Sequence, residues 1–128
     1  MHKLTPAELS VILHIALEEL RSSIDLDITA PRILVLTSVH QNPQVAQADL
    51  GIRDGEDGII KSISSSAISR NVIELGQVKN DRTLGPNLLT QRPDITFRRR
   101  NVLEMTPSGE KLFEIITNAV NKKLARLK

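Results

Sequence analysis

Apolar residues return every three or four positions early in the chain, where Leu9, Ile12, Leu13, Ala16, Leu17 and Leu20 form one helical stripe. Thr5-Pro6-Ala7-Glu8 ahead of it offers a capping threonine, a proline suited to the first turn and the glutamate of a capping box. A helix is therefore predicted from there to about Ser22. Val11 and Ile15 widen the stripe beyond what one small core uses, which points to a second apolar surface and a partner chain. After a polar stretch with Asp25 and Asp27, Thr29-Ala30-Pro31 starts a second helix through Ile33, Leu34, Leu36 and Val39 to near Asn42. Asn42-Pro43 starts a short third helix carrying Val45, Ala46 and Leu50, stopped by Gly51. Arg53-Asp54-Gly55-Glu56-Asp57-Gly58 reads as a glycine-punctuated, solvated acidic loop. Ser64-Ser65-Ser66 then supplies cap residues for a fourth helix with Ile68, Val72 and Leu75 facing inward, ended by Gly76 and followed by a loop through Gly85-Pro86.

From Leu88 the period changes. Leu88 to Arg92 and about Arg99 to Met105 read as two strands bridged by Pro93-Asp94-Ile95-Thr96-Phe97-Arg98. Asn101, Leu103 and Met105 share one face of the second strand, and Val102 and Glu104 the other. Thr106-Pro107-Ser108-Gly109-Glu110 opens a last helix carrying Leu112, Phe113, Ile115, Ile116, Ala119, Val120, Leu124 and Leu127, again a face too broad for one small core. Lys122, Lys123, Arg126 and Lys128 suit its C-terminal end. The order helix, helix, short helix, helix, hairpin, helix defines a mainly α (α+β) chain, a winged helix-turn-helix flanked by two longer helices. It is read as one domain over 1–128, with residues 28–106 as the lobe carrying the wing and residues 5–22 and 107–127 as helices that pair with a second copy.

Composition narrows the chemistry. The 128 residues are 40% hydrophobic, enough for a core in one domain, yet only two are aromatic, both Phe. The core is thus aliphatic, and base-stacking platforms for single-stranded nucleic acid are not expected. Without Cys there is no disulfide framework, thiolate zinc site or thiol catalysis, which suits a reducing compartment. No apolar run approaches the ~18 residues of a membrane span, and the first residues lack a signal-peptide core. No membrane association and a cytoplasmic location are therefore expected. Net charge is only +2, but residues 1–60 hold four basic against nine acidic residues while residues 61–128 hold thirteen against six. That asymmetry points to a face built for a polyanion.

Ser64-Ser65-Ser66-Ala67-Ile68-Ser69-Arg70-Asn71-Val72-Ile73-Glu74-Leu75 is similar to the recognition helix of the MarR family of bacterial transcription regulators. Leu88 to Asp94, the arginines Arg98, Arg99 and Arg100, and Leu103-Glu104-Met105-Thr106-Pro107-Ser108-Gly109 are similar to that family's wing and to the start of its last helix. The resemblance runs from about Ile28 to Leu124. It implies a homodimer that binds double-stranded DNA on a pseudo-palindromic site, with recognition helices in major grooves about 34 Å apart.

The residues agree with it on their own terms. With Ile68, Val72 and Leu75 inward, 100° per residue puts Ser66 and Arg70 on the exposed face, flanked by Ala67 and Ser69. Hydroxyls and amides at a helix start can meet phosphates or base edges, and Arg70 is long enough for either. Arg92 lies on the strand opposite the wing arginines. Successive strand residues alternate faces, so of Arg98, Arg99 and Arg100 the first and last are assigned to DNA, with one suited to a narrow A·T minor groove. Asp94 is placed to orient a wing arginine.

Two segments depart from the family's pattern: Gly51 to Ile63 is longer than its tight turn, and Gln77 to Pro86 is extended. Chemistry of other kinds is not signalled. His2, His14 and His40 have no metal-ligand spacing, residues 53–58 lack calcium-loop spacing, and no nucleophile elbow, P-loop or dinucleotide fingerprint occurs. No enzyme activity, cofactor or metal is expected. The resemblance implies small phenolic effectors for many members, but here a pocket has few aromatics to line it and no cysteine sensor. The resulting expectation is a repressor. A winged-helix protein-interaction or assembly module, or a plasmid- or phage-type replication or copy-control protein, is the alternative.

Overall fold

The structure, a computed structural model, describes residues 3–80, 83–96 and 100–127. The chain divides into two compact units, one of residues 1–28 with 111–128 and one of residues 29–110.

The first unit is built on helix α1 (Pro6–Ser23) and most of α4 (Pro107–Ala125). α1 starts where the capping box dictates. The Glu8 N–H donates to Thr5 Oγ1 at 3.1 Å and the Thr5 N–H donates to Glu8 Oε1 at 3.0 Å, so two orphan donors of the first turn are satisfied reciprocally. Leu20 is the buried residue of α1. Leu112, Ile116 and Val120, one helical turn apart in succession, are the buried residues of α4 in this unit. Leu9, Leu13 and Leu17, also one turn apart, stay 47%, 54% and 45% exposed.

The second unit holds α2 (Ala30–Gln41), β1 (Val45–Ala46), a 3₁₀ turn (Gln47–Asp49), α3 (Ser65–Leu75), β2 (Val78–Asn80), β3 (Thr83–Leu84), β4 (Leu89–Pro93) and β5 (Asn101–Met105). Strands β1, β5 and β4 form an antiparallel sheet in that order, with Val45 opposite Leu103 and Gln91 opposite Leu103 on the other side. Val102 and Leu103 of the central strand β5 point to opposite faces of the sheet, and both are buried. The aliphatic core comprises Val35, Leu36 and Val39 of α2, Ile68, Val72 and Leu75 of α3, and Leu50, Leu89 and Leu103.

Two segments differ from the sequence reading. The short third helix is instead a two-residue strand followed by a single 3₁₀ turn. Gln44 takes a φ of 61°, turning the chain out of α2 so that the Val45-Ala46 backbone completes the sheet edge of β5. A paired strand satisfies those peptide groups, and one 3₁₀ turn is all that fits before Leu50 is buried. The loop expected after Gly76 contains the antiparallel pair β2 and β3, with Val78 opposite Leu84. Among the described residues, no helix is long and apolar enough to cross a membrane.

The wing's lead-out is tightly specified. The Thr106 N–H donates to the Leu88 carbonyl at 3.1 Å, and its hydroxyl donates to the Asn87 carbonyl at 2.6 Å. The same hydroxyl accepts from the Gly109 N–H at 3.0 Å, capping α4. One buried threonine thus joins the start of the ribbon to the start of the last helix.

Candidate nucleic-acid interface

The candidate surface is organised around α3. Ser64 is its N-cap, accepting from the Ala67 N–H at 3.3 Å and lying 3.1 Å from the Ser66 hydroxyl. Ser65, Ser66, Ser69 and Arg70 are exposed, Ala67 is half-buried, and Ile68, Asn71, Val72 and Leu75 are buried. The apolar stripe therefore turns the hydroxyl-rich face outward, with the helix's first N–H groups alongside it.

A groove of about 390 Å³ runs along one edge of this face. Ser65, Ser66 and Ser69 line it with Gln47 of the 3₁₀ turn, Arg53, and Arg100 and Asn101 at the base of the wing. Gln47 Nε2 donates to Ser69 Oγ at 3.1 Å, fixing that hydroxyl. Arg100 Nη2 lies 3.2 Å from Asp49 Oδ2, so the carboxylate holds the guanidinium at the groove in an exposed ion pair. Serine hydroxyls, two carboxamides and two guanidiniums make a surface rich in donors and short of carboxylates, the composition that phosphate oxygens and base edges accept from.

On the other edge, Arg70 lines a second depression with Arg32, Asn71, Ile73 and Glu74. Arg32 Nε donates to Asn71 Oδ1 at 3.2 Å, and Asn71 Nδ2 donates to the Ala67 carbonyl at 2.8 Å. The start of α2 is thereby tied to the middle of α3.

The predicted wing residues divide. Arg98 and Arg99 lie outside the described residues. Arg92 is turned along its own ribbon, where Nε and Nη2 donate to Glu104 Oε1 at 3.1 and 2.8 Å. The hydrogen bond to Glu104, then that carboxylate's charge and more weakly that of Asp94, raise the Arg92 pKa further above its already high value. Asp94 also accepts from the Thr96 N–H at 2.9 Å, an Asx turn that starts the wing's tip.

Sequence reasoning missed Gln47, Arg53, Asn101 and Arg32. For Arg53 a signal was present: Asp54-Gly55 is one of the favoured centres of a two-residue hairpin turn. Asp54 and Gly55 have φ of 52° and 79°, and Arg53 and Glu56 exchange backbone hydrogen bonds at 3.0 and 2.9 Å. Gln47 and Asn101 carried no such signal, because their place depends on pairing between β1 and β5.

Several solved structures resemble the chain. MarR superposes with a TM-score of 0.57 at 21% identity, over 96% of this chain and 80% of its own. RV1404 from Mycobacterium tuberculosis gives 0.65 at 19% identity, over 99% and 81%. An S. aureus MepR variant, solved bound to an oligodeoxyribonucleotide, gives 0.61 at 22% identity, over 98% and 83%. The chain has the winged helix-turn-helix fold of MarR-type regulators. No family model and no curated protein sequence matches it.

Proposed function

We propose that the chain is a sequence-specific duplex-DNA-binding transcription regulator, a repressor that acts as a homodimer on a pseudo-palindromic site. The observation that carries this reading is the shared groove, in which the α3 hydroxyls meet Arg53 and Arg100 on one exposed surface. A neighbour of the same fold that was solved on an oligodeoxyribonucleotide supports it. The start of α3, with Ser65, Ser66, Ser69 and Arg70, enters the major groove. Arg98 and Arg100 grip the backbone or the adjacent minor groove, while Arg92, one residue short of the end of β4, is held along the ribbon by Glu104. The exposed Leu9, Leu13 and Leu17 stripe of α1 meets a second copy, which doubles the reading unit by symmetry.

The test is a mobility-shift titration on the duplex upstream of the chain's own coding region, repeated across salt concentrations. Arg70→Ala and Arg98→Ala are each expected to weaken binding by about tenfold or more, and Arg98→Ala to reduce the slope of log affinity against log salt by about one. Unchanged affinity in both variants overturns these assignments. Binding that is salt-sensitive but blind to sequence means an architectural role instead. No binding at low salt favours the protein-interaction module.

A further inference from the structure

We propose that residues 51–63 form a second, smaller wing that places Arg53 on the DNA backbone beside α3. This inference rests on the DNA-binding reading and adds an element to it.

The segment is a built element. The Ile52 N–H donates to the Ile63 carbonyl at 2.7 Å, and the Ser65 N–H donates to the Ile52 carbonyl at 3.0 Å, stitching the base of the segment to the first turn of α3. Further along, the Ile60 N–H donates to the Leu50 carbonyl at 2.7 Å, and the Ile60 and Ile63 side chains are buried. Gly58 lies so close to the preceding backbone that a Cβ there would stand 2.5 Å from the Gly51 carbonyl oxygen. From this base the hairpin turn at Asp54-Gly55 projects, with both central residues at the positive φ that a type I′ turn needs. The backbone bond pattern leaves Arg53 one residue beyond the Ile52–Ser64 bridge, next to the serine hydroxyls.

Charge then selects the partner. Arg53 and Arg100 come from distant parts of the chain and share the groove with Ser65, Ser66 and Ser69. Asp49 pairs with Arg100, and Arg53 brings a second guanidinium to the same groove, which calls for an anionic ligand. A phosphodiester group next to a helix reading the major groove meets that need, because guanidinium and hydroxyl donors match its oxygens. Beyond Arg53 the sign reverses: Asp49, Asp54, Glu56 and Asp57 line an adjoining depression of about 680 Å³. Arg53 therefore stands on a boundary between a donor-rich groove and an acidic flank. Phosphates are attracted on one side of it and repelled on the other. The small wing makes a point contact and limits how far the duplex can shift along this face.

The test uses the full chain and a fluorescein-labelled duplex selected against the wild-type protein, with anisotropy read across salt. Arg53→Ala is expected to weaken binding about five- to twentyfold, by a similar factor on every bound sequence, and to lower the salt slope by about one. Arg53→Lys keeps the slope. Replacing the flank with Asp54→Asn, Glu56→Gln and Asp57→Asn raises affinity for a scrambled duplex more than for the selected one. Circular dichroism and urea midpoints confirm that these exposed substitutions leave the fold intact. If Arg70→Ala weakens binding while Arg53→Ala leaves affinity and salt slope at wild-type values, the small wing falls and the DNA-binding reading stands. If the wild-type chain binds no duplex, both fall.

Discussion

Gly109→Ala is expected to destabilise the protein by about 3 kcal/mol, a loss of about 2 M in urea midpoint for a slope of about 1.5 kcal/mol per M. Helix propensity alone gives the opposite sign, since alanine in place of glycine inside a helix usually gains up to about 1 kcal/mol. Packing decides the matter. A Cβ at residue 109 would stand 2.1 Å from the Leu88 carbonyl oxygen and 2.7 Å from Met105 Cε. The methionine end can swing away, but the carbonyl cannot, because it already accepts from the Thr106 N–H. Relief requires α4's first turn to move off the ribbon, which stretches both the Thr106 hydroxyl bond to Asn87 and the cap to residue 109. Ser108→Ala, at the exposed neighbouring position, is the matched control and is expected to stay within about 0.5 kcal/mol of wild type. Equal midpoints for the two variants would falsify this account of the junction.

Leu9→Glu combined with Leu13→Glu is expected to abolish the proposed dimer and lower operator affinity by a hundredfold or more. In the isolated chain both leucines are about half exposed, so the unpaired fold should tolerate the change. In a two-fold assembly each substitution occurs twice. Covering the remaining exposed half of four leucines is worth roughly 4 kcal/mol at about 1 kcal/mol each, near three decades in association constant, before any carboxylate is desolvated. A monomer then binds one half-site without the gain from linking two. Sedimentation equilibrium beside the mobility shift checks both halves. A double variant that still sediments as a dimer places the interface elsewhere.

Elements with local causes were legible from residues alone. Thr5 with Glu8 announced α1, and Ser64 with the Ile68, Val72 and Leu75 spacing announced α3 and its outward face. The alternation after Leu88 announced the ribbon. Elements caused by distant partners were not legible. Val45-Ala46 is too short to carry a period of its own, and it is a strand because β5 lies beside it. The candidate site shows the same division. Exposure of Ser66 and Arg70 follows from helix geometry, whereas the meeting of Gln47, Arg53 and Asn101 with the serines follows from tertiary pairing. Arg92 sits where its strand put it, but its orientation was decided by Glu104, two residues along the opposing strand from its register partner Val102. The hairpin at Asp54-Gly55 lies between these cases: its turn signal was local, and the acidic residues around it obscured it.

The position of β5 at the centre of its sheet has a consequence for how the protein is made. β1 leaves the ribosome early, yet its hydrogen-bonding edge is completed only by Leu103 and Val102, nearly half the chain later. Closing so long a segment carries an entropic cost that α2 and α3, with their local bonds, do not bear. During synthesis α1, α2 and α3 can therefore form before the ribbon, which takes shape only once β5 has emerged. A nascent chain released before residue 101 would carry α3 without the strand that holds the wing beside it.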